Sequence, residues 1–141
     1  MKKLLYLGIV LMLASCCSNE SESSANQSES SSSTVNVDGR EVSTIKIDNL
    51  EVMTEDLGRM NWYDAKKTCA DLGDGWRLPR DEDELKILYQ NKDKIGGFAD
   101  DLYWSSREFV GSISWLRNFL DGVLYDSDYS DTNYVRAVRY I

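Results

Sequence analysis

Residues 17–34 carry Ser18, Ser21, Ser23, Ser24, Ser28 and serines at 30–33, with Glu20, Glu22 and Glu29 among them and scarcely an apolar side chain. A segment of that composition cannot bury enough apolar surface to offset the entropy of ordering it. Any packed core is thereby confined to residues 35–141, and residues 16–34 read as a disordered tether. A flexible coil of this kind has a root-mean-square span of about 20–25 Å. Residues 35–141 have the size of one ordinary domain, enough to fold without metals or disulfides.

Ahead of the tether, Lys2 and Lys3 precede an apolar run over residues 4–13 and then Leu13-Ala14-Ser15-Cys16. The run is about half the length of roughly twenty residues that a helix needs to cross a bilayer, so residues 1–15 read as a secretory signal peptide. The tetrapeptide resembles the lipobox of bacterial lipoproteins, in which the cysteine is lipidated and becomes the first residue of the mature chain. Carried over to Cys16, the resemblance implies a lipid anchor holding the chain in the bacterial cell envelope, at the outer membrane or cell surface. An ordinary signal followed by a chance cysteine is the alternative.

The formal charge is −8, and it becomes more negative once Lys2 and Lys3 leave with the signal. That balance argues against nucleic acid as a partner, because phosphate backbones are held by clustered Lys and Arg. Of the three cysteines, Cys16 and Cys17 lie at the lipobox and only Cys69 falls in the domain, so no internal disulfide is available. The sequence contains no histidine. Histidine-based nucleophile activation and histidine zinc sites are therefore excluded, along with the commonest general base.

Within the domain, residues 42–47 and 50–53 are rich in β-branched and apolar side chains around the turn-prone Asp48-Asn49, as strands require. From Asn61, a plausible N-cap, the period changes: Trp62, Ala65, Cys69 and Leu72 recur at helical spacing, with Lys66, Lys67 and Asp71 on the other side. Cys69 sits on the apolar stripe and reads as core. Glycines in Leu72-Gly73-Asp74-Gly75 end this helix. Asp81 and Glu84 form a capping-box-like pair at the head of a second helix over residues 81–89. After Gly96-Gly97 the residues 102–106, 113–119, 123–125 and 134–141 read as short antiparallel strands and hairpins. The order is α+β, with two helices packed on short antiparallel strands.

Asn61-Trp62 with Ala65 and Cys69, Gly75-Trp76-Arg77-Leu78-Pro79, Glu84-Leu85, Tyr103-Trp104-Ser105-Ser106, Phe119, Gly122 and Val135-Arg136-Ala137-Val138-Arg139 succeed one another in a familiar order. In these motifs the chain resembles, over residues 50–141, the domain of unknown function 1566. This family is also called the C-terminal domain of the Legionella collagen-like adhesin, and it is related to the Fibrobacter succinogenes major paralogous domain. The resemblance implies a C-type-lectin-like fold. Trp76 and Trp104 read as core anchors, and Arg77, Arg136 and Arg139 as members of internal ion pairs. The Glu-Pro-Asn, Gln-Pro-Asp and Trp-Asn-Asp motifs of calcium-dependent sugar binding do not occur, so that activity is not carried over.

Function then falls to the loops. Residues 124–134 alternate Tyr125, Tyr129 and Tyr134 with Asp, Ser, Thr and Asn, a composition suited to recognition: tyrosine supplies contact area at low entropic cost and the short polar residues adapt their hydrogen bonds. Asp126, Asp128 and Asp131 lack the glycine and glutamate of an EF-hand loop, so no metal is assigned, and the adjacent acids Asp100 and Asp101 read as a solvated turn rather than a catalytic pair. The expected ligand-binding residues are Arg107, Tyr125, Asp126, Asp128, Tyr129, Asn133 and Tyr134, on a face built from residues 107–115 and 124–134. The chain reads as a tethered, non-enzymatic recognition module for an extracellular or envelope protein or glycan, requiring no cofactor. The alternative is a structural lipoprotein of envelope assembly that uses the domain as a spacer or oligomer interface.

Overall fold

The structure, a computed structural model, describes residues 32–80 and 82–141. Residues 1–31, which include the expected signal peptide, Cys16, Cys17 and nearly all of the expected tether, lie outside the described residues, as does Asp81 of the expected capping pair. No helix among the described residues is long and apolar enough to cross a membrane.

Strands β1 (Ser33–Val37), β2 (Arg40–Ile47) and β3 (Leu50–Met53) form an antiparallel meander. Its first turn is the two-residue Asp38-Gly39, both at positive φ, the geometry that suits the right-handed twist of the strands it joins. Ser33 and Thr34, expected in the tether, already pair with Thr44 and Ser43. The second sheet contains β4 (Arg59–Met60), β5 (Leu102–Phe109), β6 (Ile113–Asn118), β7 (Leu124–Asp128) and β8 (Asn133–Tyr134). The last strand, β9 (Val138–Tyr140), returns to pair with β3, so the first sheet runs β1-β2-β3-β9 and the second β4-β8-β5-β6-β7.

The helices are α1 (Trp62–Asp71), α2 (Glu82–Gln90) and the short α3 (Lys92–Ile95). Asn61 caps α1 as expected, its side chain accepting from the Asp64 N–H at 2.9 Å, and α1 buries Trp62, Ala65 and Cys69. The α+β composition is confirmed. Because successive strand residues point to opposite faces, neighbours divide between two clusters. Met53, Trp104 and Ala137 join Trp62, Cys69 and Trp76 in one cluster. Val52, Tyr103 and Val138 join Leu85, Leu88 and Phe119 in the other. Trp104 is fully buried, and its indole N–H donates to the Met60 carbonyl at 2.9 Å.

The three arginines are internal ion-pair members, as the sequence suggests. Arg77 grips Glu84 through both terminal nitrogens, at 2.7 and 3.0 Å. Arg139 meets Glu51 at 2.7 Å with its guanidinium over Trp76. Arg136 meets Asp56 at 2.8 Å. Burial alone would raise the carboxyls of Glu84 and Glu51, but hydrogen bonds outweigh it. They come from Arg77, the Arg80 N–H and Tyr140 on Glu84, and from Thr44, Arg139 and Ser33 on Glu51. Both groups therefore sit below the ordinary value of 4.5.

A depressed carboxyl pKa contributes stability above its unfolded value, and that contribution is lost as pH falls through the folded value. The urea midpoint is accordingly expected to fall on acidification from neutral pH to about pH 3. In Glu84→Gln, which has no charge to lose at that site, the fall should be smaller. An equal fall in both proteins would remove Glu84 from the explanation.

Candidate functional site

The outer end of the second sheet is shaped by an irregularity in β5. Pairing with β6 slips between Trp104 and Glu108, leaving backbone groups that two serines take up. The buried Ser114 hydroxyl donates to the Arg107 carbonyl at 2.7 Å, and the Ser105 hydroxyl accepts from the Arg107 N–H at 3.3 Å. Bulges of this kind bend a strand and re-aim its side chains. Beyond this one, residues 109–113 form an exposed hairpin tip in which Val110 is almost fully open to solvent.

Cross-strand register then assembles a face. Phe109 lies opposite Ile113, Ile113 opposite Asp128, and Trp115 opposite Asp126, so these side chains share one side of the sheet. Phe109 and Trp115 meet edge to face at 5.8 Å and 81°. With Ile113, Ser114 and Asp126 they line a shallow cleft of about 180 Å³. Phe109 remains 47% exposed, while Leu116, the next residue on β6, is fully buried on the opposite face. The cleft therefore offers aromatic surface and one carboxylate across β5, β6 and β7, with β6 anchored from behind by Leu116. Such a site can stack against a flat apolar face, accept from hydroxyl or ammonium donors, and hold a cation over an indole.

Of the residues expected from sequence, Arg107, Tyr125, Asp126 and Asp128 are exposed on β5 and β7. Asp126 and Asp128 stand on the cleft side, and Tyr125, 43% exposed, lies opposite Leu116 on the other. The other three lie off the open face, two of them buried. Tyr129 is only 8% exposed: its ring stacks on Trp62 at 4.1 Å, its N–H donates to the Ser112 carbonyl, and its own carbonyl accepts from the Trp62 N–H. Asn133 is 6% exposed in β8. Tyr134 is half-buried, stacked on Tyr103 at 5.4 Å under the Arg59 guanidinium. Tyr129 and Asn133 are buried because the chain turns inward after Asp128 to feed β8 between β4 and β5.

Sequence reasoning reached residues 107–115 as a segment but did not single out Phe109, Ile113 or Trp115. The alternation Ile113-x-Trp115 beside an exposed hairpin was the signal available. Asp128 is tied into its own turn by the Ser130 N–H and hydroxyl, which hold its carboxyl below the ordinary range. The Ser127 hydroxyl engages Asp131. Among the described residues no group of three or more Asp, Glu, Cys or His side chains is placed to hold a metal ion. Asp101 accepts from the Leu102 N–H at 2.7 Å, while Asp100 lies 4.0 Å from Lys92. Cys69 is fully buried, its thiol pushed up to about 12 by burial, so it holds no reactive thiolate at neutral pH.

No protein-family model and no curated protein matches the chain. Among solved structures, a chain from the complex of a mutant von Willebrand factor A1 domain with botrocetin is similar at a TM-score of 0.49 and 10% identity, over 70% of this chain and 96% of that one.

Proposed function

We propose that this chain is a lipid-anchored protein of the bacterial envelope that presents a C-type-lectin-like recognition domain to a protein or glycan outside the membrane. The contact face in this reading is the outer end of the second sheet. The observation that carries it is the cleft of Phe109, Ile113, Trp115 and Asp126: an exposed Phe109 on β5 set against a half-buried Trp115 on β6, whose own neighbours Ser114 and Leu116 are buried. Aromatic anchors on rigid backing are what recognition surfaces use, because little entropy is lost when they are covered. The C-type-lectin-like assignment is supported by the motif order and by two principal helices set among antiparallel strands, with the last strand paired beside β3. The lipid anchor rests on the lipobox at Cys16 and the serine-rich tether.

The test is an array of glycans and envelope proteins probed with the full-length chain in detergent and with Trp115→Ala. A ligand that the parent retains is expected to lose about tenfold or more in affinity in the variant, as for an aromatic anchor worth more than about 1.4 kcal/mol, while the melting temperature stays close to the parent's. Retention of that ligand by Trp115→Ala, or silence of the parent across the array, would favour the spacer or assembly role.

A further inference from the structure

The second sheet ends at β7, and among the described residues no strand pairs with its outer edge. The direction of its main-chain groups is set by two bonds flanking the ladder. The Asn118 N–H donates to the Val123 carbonyl at 2.9 Å, and the Tyr129 N–H to the Ser112 carbonyl at 2.8 Å. In an antiparallel pair the hydrogen-bonded positions alternate. Tyr125 and Ser127 therefore turn their N–H and C=O toward β6, and Leu124, Asp126 and Asp128 turn theirs outward, the Asp128 carbonyl being already engaged by the Asp131 N–H at 3.0 Å. The edge thus presents an alternating row of donors and acceptors, and the two aspartates on it stand on the same side as Trp115 and Ile113.

We propose that this edge takes an extended cationic peptide as an added antiparallel strand, with its Lys or Arg side chains opposite Asp126 and Asp128 and beside Trp115. The proposal rests on reading this end of the molecule as the recognition face, and it supplies the ligand's chemistry. An added strand forms main-chain bonds to an open edge, and its alternate side chains give specificity. A residue paired with Asp126 has its side chain on the cleft side, where a cation meets a carboxylate and an indole together. A second copy is disfavoured as the occupant. Antiparallel self-pairing centred on Asp126 or on Ser127 sets carboxylate opposite carboxylate, and like charges directly opposite destabilise a pair.

The probe is a fluorescent synthetic peptide of alternating lysine and threonine, titrated into the full-length chain by anisotropy beside a glutamate–threonine counterpart. The lysine peptide is expected to bind and the glutamate peptide not. The double variant Asp126→Asn, Asp128→Asn, which keeps the turn's acceptors, is expected to weaken binding roughly three- to tenfold, as two cross-strand charge pairs imply. Geometry supplies the sharper arm. Lysines opposite Asp126 and Asp128 direct their own N–H groups at β7, so N-methylation of the lysine amides should abolish binding and N-methylation of the threonine amides should leave it.

Equal binding by the two N-methylated peptides would reduce the effect to diffuse charge attraction and overturn the proposal. So would binding by neither parent peptide, or a dimer in sedimentation that Leu124→Pro dissociates. None of these outcomes touches the Trp115→Ala array experiment, which decides the recognition reading by itself.

Discussion

Asp56→Ala is expected to lower the unfolding free energy by about 3–5 kcal/mol, the cost of leaving a buried charge without its partner. The Arg136 side chain is completely buried. Its Nε donates to Asp56 at 2.8 Å, and Nη1 donates to the Met53 and Gly96 carbonyls at 2.8 and 3.1 Å. The guanidinium lies over the Phe98 ring, 3.9 Å from its centroid. The second Asp56 oxygen accepts from the Tyr103 hydroxyl at 2.8 Å, which itself accepts from the Ala99 N–H. One carboxylate therefore joins the segment after β3, the loop after α3, strand β5 and the approach to β9.

The loop is fitted to this centre so closely that a Cβ on Gly97, which also has φ +70°, would lie 2.2 Å from the Thr54 carbonyl oxygen. Urea denaturation monitored by tryptophan fluorescence measures the loss. Adding Arg136→Met to Asp56→Ala should recover part of it, because the uncompensated charge is then gone. A single-variant loss under about 1 kcal/mol, the level of an exposed pair, would show that the pair is not the structural centre described.

The second large effect separates two tyrosines of one segment. Tyr129→Ala removes a ring stacked on Trp62 and touching Tyr63 edge to face at 5.4 Å, and it should cost roughly 3–5 kcal/mol, as buried aromatic truncations do. Tyr125→Ala, on the exposed edge strand, should stay within about 0.5 kcal/mol of the parent. Thermal or urea unfolding of the two variants side by side checks this. Equal costs would contradict the division of residues 124–134 into an exposed strand and a buried return.

That division marks where sequence stopped being sufficient. Helix α1 was legible because Trp62, Ala65 and Cys69 repeat at helical spacing behind a side chain that caps, and both signals are local. Strands β2 and β3 were legible for the same reason. The two-residue β4 and the single turn α3 carry too little periodicity to register, and β1 went unread because Ser33 and Thr34 continue the serine-rich composition ahead of them. The arginines were readable as ion-pair members from their chemistry, but their partners Asp56, Glu51 and Glu84 emerge only from long-range packing.

At the site, composition identified tyrosine, aspartate and arginine in one region and could not say which rings face inward. Tyr129 and Asn133 were assigned to the surface because nothing near them in sequence reveals Trp62 or the position of β8 between β4 and β5. Trp115 was passed over because an aromatic in a strand reads as core until the register shows which face it occupies, and Phe109 because it lies past the strand read over residues 102–106.

The central claim is that the Phe109–Trp115–Asp126 face meets a partner outside the membrane. A photo-crosslinking benzophenone amino acid placed at Phe109 in the full-length chain, expressed in cells that export it, tests this most directly beside the same group at Leu120. Leu120 is more open still, at 61% exposed, but lies beyond the opposite end of β6. A discrete crosslinked species is expected from position 109, absent from position 120 and diminished by Trp115→Ala. Identical patterns at the two positions, or no adduct from position 109, would contradict the claim.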